Sequence, residues 1–170
     1  MQLRSSLLRS TAARRIALQL LMNLTARALR QPPLRIWTLP TDKALQRYAD
    51  YTFVHLKDGA DEQLLRRMGD EARSMGLRLR RWLMLRRQDD IEQVVTTLYQ
   101  GIGIALEGHL PGRLCFRRCY FSGRYTPKVC QAASALDEGI MQGLTGGGKL
   151  TFQQRITEGH QHCLATYQKT

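Results

Sequence analysis

The hydrophobic period of this chain first changes at Gly101, and that switch limits the folds open to it. Upstream, apolar residues recur at helical spacing. Leu64, Leu65, Met68, Ala72, Met75, Leu79, Trp82 and Leu83 lie on one broad face of a helix that Asp61 caps and that is expected over Glu62 to Arg87. Asp89-Asp90 cap the next helix, with Ile91, Val94, Val95 and Leu98 inward. Downstream, GIGIALEG and RLCFRRCYF are short runs joined by a turn at Pro111-Gly112, and they predict strands. In the second run Leu114, Phe116 and Arg118 share one face, and Cys115, Arg117 and Cys119 the other. Thr126-Pro127 then opens another helix, since Thr caps well and Pro suits the first helical position. It is expected to bury Val129, Ala133, Leu136, Ile140 and Leu144. KLTFQQRIT and QHCLATYQ read as two more strands with EGH as a tight turn. The expected class is α+β: N-terminal helices followed by a four-stranded antiparallel sheet in a ββαββ order.

The run GLTGGGKL, Gly143 to Leu150, resembles a phosphate-binding loop in Gly143, Gly148 and Lys149. Its context is inverted. A phosphate loop needs a strand before it and a helix after it, so that the helix N-terminus faces the phosphate. Here a helix precedes and a strand follows, and Leu150 replaces the metal-binding hydroxyl. The run is read as a helix C-cap and chain reversal.

Charge divides the chain. Residues 1–35 carry seven arginines and no acid, whereas residues 61–100 carry eight arginines and seven acids. The net charge of +12 is therefore most one-sided at the N-terminus. That composition resembles an organelle transit peptide. Ile16, Leu20, Leu24 and Ala28 also form a helical stripe, which a docking helix explains equally well. Pro32-Pro33 ends this helix. The division expected is 1–35 as a basic amphipathic N-terminal helix and 36–170 as a single α+β domain. Nucleic acid or an anionic membrane are the partners such a helix could meet. No stretch reaches the length of a membrane span. RRWLMLRR and FRRCYFSGRY interleave arginine with aromatics, as nucleic-acid platforms do, without any RNA-binding or helix-turn-helix signature.

All four cysteines, Cys115, Cys119, Cys130 and Cys163, fall in the last third of the chain. No secretion signal accompanies them, so a cytoplasmic location with free thiols is expected, with peripheral membrane association as an addition. EGHQHC gathers Glu158, His160, His162 and Cys163 in six residues. These are zinc ligands by type, and equally a thiol nucleophile with an imidazole base. Zinc is the one cofactor the composition suggests, and a metal-holding module would use Cys119, Cys163 and His162. Asp137 and Glu138 are adjacent on a helix, so one faces the sheet and the other faces away. A carboxylate facing a cysteine-lined sheet is a candidate acid or base.

RRCYFSGRY, the helix KVCQAASALDEGIMQGL and the closing ITEGHQHCLATY together resemble the L-2-amino-thiazoline-4-carboxylic acid hydrolase family, a relative of four-vinyl-reductase-type small-ligand-binding domains. The resemblance spans about residues 61 to 168 and rests on Cys119, Asp137 or Glu138, and Gly159 with Cys163. It implies a small-molecule-binding domain, and a hydrolase opening a C–N bond of a small heterocyclic acid if the site is catalytic. Cys119 or Cys163 is then the nucleophile, His162 or His160 the base and Glu138 a further acid-base candidate, while Arg118 or Arg124, with Tyr125, holds the substrate carboxylate. Arg155 and Phe152 stand where the zinc-binding relatives place a cysteine and a Glu. The alternatives are a non-catalytic ligand-binding or metal-holding sensor module, and an interaction protein docking through its N-terminal helix.

Overall fold

Capping chemistry decides where two of the helices begin. The computed structural model describes residues 11–169. The Asp61 carboxylate accepts from Leu64 N–H at 2.6 Å and starts a helix at Glu62. The Thr126 hydroxyl accepts from Val129 N–H at 3.3 Å and starts another at Pro127. In chain order the elements are α1 (Thr11–Leu29), α2 (Thr41–Leu56), α3 (Glu62–Trp82), α4 (Gln88–Gly101), β1 (Ile104–Gly108), β2 (Gly112–Cys119), α5 (Pro127–Thr145), β3 (Lys149–Gln154) and β4 (Cys163–Gln168), with one 3-10 turn at Ile156–Glu158. The strands form one antiparallel sheet in the order β1-β2-β4-β3. The class is α+β, with the helices first. Among the described residues no helix is long and apolar enough to cross a membrane.

Three local expectations are corrected. The helix expected to reach Arg87 stops at Trp82. There Leu85 N–H bonds back to the Arg80 carbonyl and Met84 takes φ +50°, a left-handed C-terminal cap built without glycine. Asp89 and Asp90 do not cap α4. They lie inside its first turn, where their charge favours the helix dipole. The segment EGH is not a tight hairpin turn: Glu158 closes the 3-10 turn and Gly159 leaves it with φ +93°.

Helix α5 is the hub. It packs on α3, on β3, on α2 and on α4. A helix covered on several sides buries more than one stripe, so the expected set is only partly found. Val129, Leu136 and Leu144 are buried, and so are Ala132, Gly139, Met141, Gly143 and Thr145, while Ala133 and Ile140 are only half-buried. The α3–α5 contact is made at backbone distance. A Cβ on Gly139 would lie 2.2 Å from the Gly69 carbonyl oxygen, and one on Gly143 would lie 2.3 Å from that of Arg73.

The glycine run closes α5. Gly146 is the left-handed cap, its N–H and that of Gly147 both bonding to the Gln142 carbonyl, and β3 begins at Lys149. The Tyr167 hydroxyl fills the loop, bonded to the Thr145 hydroxyl and the Gly147 carbonyl. The loop interior holds a side chain of its own domain, which agrees with its reading as a reversal.

Segment 1–35 stands apart by charge but not by packing. Its described part, α1, contributes Leu18, Met22, Leu24, Ala26 and Ala28 to the same apolar core as the sheet and α5. Arg4 and Arg9 lie outside the described residues.

Candidate functional site: a groove beside α5 and a buried layer beneath it

Two β-bulges aim the side chains that matter. In β2, Phe116 pairs with Leu106 and Arg118 with Ala105, so Arg117 is an extra residue. The bulge resets the alternation. Arg117 and Arg118 are both exposed, and Cys119 joins Leu114 and Phe116 on the core side. The expected sharing of faces, with Arg118 beside Phe116 and Cys119 beside Cys115, therefore does not occur. In β3, Phe152 pairs with Ala165 and Gln154 with Leu164, so Gln153 is extra. Arg155 is thereby turned inward, where its Nη2 donates to the Ser134 hydroxyl of α5 at 3.3 Å.

Between α5 and the sheet lies a layer of weakly acidic groups. Tyr99 of α4 donates its hydroxyl proton to Asp137 Oδ1 at 2.9 Å. Burial pushes the Asp137 carboxyl up to about 6, although the Tyr99 hydrogen bond and the charge of Arg155 pull the other way. Cys119 is pushed up to about 12, first by burial and then by the negative charge of Asp137. Burial also raises Cys130 and Cys163. The Cys163 sulfur accepts from Ile156 N–H at 3.3 Å. Three of the four cysteines thus gather near one carboxyl, and all four are free thiols. These environments favour the thiol over the thiolate, so they suppress nucleophilicity. Cys119 in the folded protein is expected to react with iodoacetamide at pH 8 at least about tenfold more slowly than in the unfolded chain, read by mass spectrometry of its peptide. A fast-reacting Cys119 would reopen its role as a nucleophile.

Among the described residues no hydrogen bond joins the ring of His160 or His162 to a thiol of this layer. His160 is exposed. His162 is half-buried at the start of β4, with its backbone carbonyl bonded to the Gln154 amide at 3.1 Å. Among the described residues no group of three or more His, Cys, Asp and Glu is arranged to hold a metal ion. Cys119, Cys163 and His162 form no such group among them.

The open volume lies on the other flank of α5. A groove of about 560 Å³ runs between α3, α5 and β3. Glu138 lines it, while Asp137 turns toward Tyr99, so the adjacent acids do face opposite ways. Arg66 and Asp70 come from α3, Lys149 and Phe152 from β3, and Arg155 from just beyond it. The Arg155 guanidinium lies over the Phe152 ring at 4.8 Å and is 3.6 Å from Glu158. Its buried Nε has no hydrogen-bond partner among the described residues. Ser134, Glu158 and the charge of nearby Asp137 surround this cation, yet its Nε is left without a hydrogen bond.

Of the residues expected to form the site, Glu138 alone lines the groove. Arg118 is exposed. Arg124 lies over the Tyr120 ring at 5.0 Å and 3.9 Å from Asp50. Tyr125 stacks on Phe121 at 5.2 Å, and burial holds its hydroxyl well above the usual phenol range. Sequence reasoning misses Arg155, Ser134 and Lys149 as site residues. It marks Arg155 only as the residue standing in place of a cysteine, because strict alternation gives no warning of a bulge. No family model matches the chain, and no curated protein aligns with it at a significant level.

Proposed function

We propose that this chain is a small-molecule-binding domain that seats a small zwitterionic acid in the groove between α3, α5 and β3. The observation that carries this reading is Arg155, swung inward by the β3 bulge with its buried Nε unpaired, lining open volume. A ligand carboxylate would satisfy it, since a guanidinium recognises that group in a paired geometry. The lining is mixed in sign, with Arg66, Lys149 and Arg155 against Glu62, Asp70 and Glu138. Mixed charge suits a ligand bearing both an acid and an amine, and Phe152 offers a flat apolar floor. The resemblance to the L-2-amino-thiazoline-4-carboxylic acid hydrolase family points to the same ligand class, a small heterocyclic amino acid. A cytoplasmic location would keep the four thiols reduced.

Binding without catalysis is the form of this proposal. The hydrolase form needs a thiolate and a base in contact, and raised thiols with no histidine hydrogen-bonded to them among the described residues weigh against it. The probe is 2-amino-thiazoline-4-carboxylate, titrated while amide NMR shifts are followed. Shifts are expected to cluster at Ser134, Glu138, Lys149 and Phe152, and Arg155→Lys is expected to weaken binding about tenfold or more. Shifts centred elsewhere, or none at millimolar probe, would sink the proposal. If the probe is consumed, and Cys119→Ala or Cys163→Ala abolishes turnover, the hydrolase form is restored. The reading of a protein docking through residues 1–35 is tested by charge reversal at exposed Arg27 and Arg30, because deleting the helix would remove Leu18, Met22 and Leu24 from the core.

A further inference from the structure

The segment RRWLMLRR, Arg80 to Arg87, is the corner between α3 and α4, and the groove makes no use of it. Its apolar residues alternate in direction. Leu83 and Leu85 are 9% and 7% exposed and anchor the corner in the core, whereas Trp82 and Met84 are 75% and 61% exposed. Sequence spacing assigns Trp82 to the buried face of α3. It is instead the most exposed of the large apolar residues that stand out on this surface. Two such side chains side by side, flanked by charge, are uncommon on a solvated corner.

Met84 adds a second, independent observation. It occupies the left-handed position of the helix cap at φ +50°, which glycine adopts freely and a side-chain-bearing residue adopts at a cost. The side chain held there is not packed into the core. Folding alone would favour glycine, so the methionine points to an external contact.

Arginine dominates the charge around the tip. Arg78, Arg81, Arg86 and Arg87 are exposed. Arg87 is shared with Asp89 at 3.4 Å, and Arg80 is turned in against Gly146, so Arg78, Arg81 and Arg86 are the cations left for a partner. An indole and a thioether at a tip, ringed by guanidiniums, match the boundary of an anionic bilayer. The ring sits at headgroup level, the thioether reaches the acyl region and the arginines meet lipid phosphates. A nucleic-acid platform would instead present its aromatic in a basic groove that tracks a backbone.

We infer that the α3–α4 corner is a membrane-docking tip that inserts Trp82 and Met84 into the interface of an anionic lipid bilayer. The corner rests on the surface at the depth of the headgroups.

The test uses the full chain with Trp37→Phe, which leaves Trp82 as its one indole. Vesicles of phosphatidylcholine alone are compared with vesicles of phosphatidylcholine and phosphatidylglycerol. Co-sedimentation and a blue shift of Trp82 emission are expected with the mixed vesicles and not with phosphatidylcholine. Met84→Gly relieves the backbone cost, so it is expected to fold at least as well, yet to bind about tenfold more weakly. Arg81→Gln with Arg86→Gln is expected to weaken binding about thirtyfold at low salt. An unshifted Trp82, or unchanged binding by Met84→Gly, overturns the inference. So does an oligothymidylate that shifts Trp82 emission at lower concentration than the vesicles, which would make the corner a nucleic-acid contact.

Discussion

Replacing Gly139 by leucine is expected to destabilise the fold by more than about 4 kcal/mol, enough to abolish cooperative folding in a domain of ordinary stability. The reason lies in the atoms opposite. A Cβ at this position would lie 2.2 Å from the Gly69 carbonyl oxygen, 2.8 Å from the Ala72 Cβ and 3.0 Å from the Arg73 backbone nitrogen. Two of these are backbone atoms, which cannot move without shifting α3 itself. Gly139→Ala gains about 1 kcal/mol of helix propensity, and the overlap outweighs it, leaving a net loss of about 2 kcal/mol. Gly143→Ala behaves alike, since its Cβ would meet the Arg73 carbonyl oxygen at 2.3 Å. Gly123→Ala is the control: its Cβ would meet nothing within 4 Å, so stability should move by no more than about 0.5 kcal/mol. Urea unfolding of the four variants reads the series. A Gly139→Ala protein as stable as the parent would mean that the two helices are not in backbone contact.

That contact explains which parts of the fold are legible in the sequence. The switch of period at Gly101 is legible, because strands alternate and helices do not. The cap at Thr126-Pro127 is legible, because it depends on residues adjacent in sequence. The glycine run is legible as a reversal for the same reason. The seam of Gly69, Ala72 and Gly76 against Gly139 and Gly143 escapes such a reading, although its small residues recur at helical spacing. A glycine inside a helix reads as a local liability, whereas here it is set by the helix across from it. The candidate site is hidden for a related reason. Arg117 and Gln153 each add one residue to a strand, and each bulge exchanges the faces of the residues after it. Cys119 and Arg155 owe their positions to pairing with distant strands, a relation that counting along one strand does not contain. Trp82 misleads in the opposite direction: its spacing fits the buried stripe, but it is the last residue of α3, where the stripe runs off the core.

The second large effect is expected from Asp137→Asn, and it depends on pH. Burial raises the Asp137 carboxyl from 3.8 to about 6 in the folded protein. A raised carboxyl favours folding only while it is protonated. Below about pH 4 the folded and unfolded chains both hold that proton, and the buried group costs least. As the pH rises from about 4 to 6 the unfolded chain releases its proton first, so stability falls, and above about 6 the full penalty is in place. A shift of this size corresponds to about 2 kcal/mol once solvent access to the half-buried residue is allowed for. Asparagine keeps an oxygen to accept the Tyr99 hydroxyl and has no charge to bury. Asp137→Asn is therefore expected to match the parent near pH 4 and to exceed it by about 2 kcal/mol at pH 7. Asp137→Leu separates charge from hydrogen bonding. It loses the same charge, so its difference from the parent rises with pH as for Asp137→Asn, but it leaves the buried Tyr99 hydroxyl unpaired, which lowers that difference by about 1–3 kcal/mol at every pH. Urea titrations at four pH values across that window, each taken as variant minus parent, cancel the other carboxylates. A flat difference for Asp137→Asn would show that the carboxyl is not raised in the folded protein, and one that falls as the pH rises would show that the ionised carboxylate stabilises this layer. Either outcome would remove burial as the dominant force on this carboxyl.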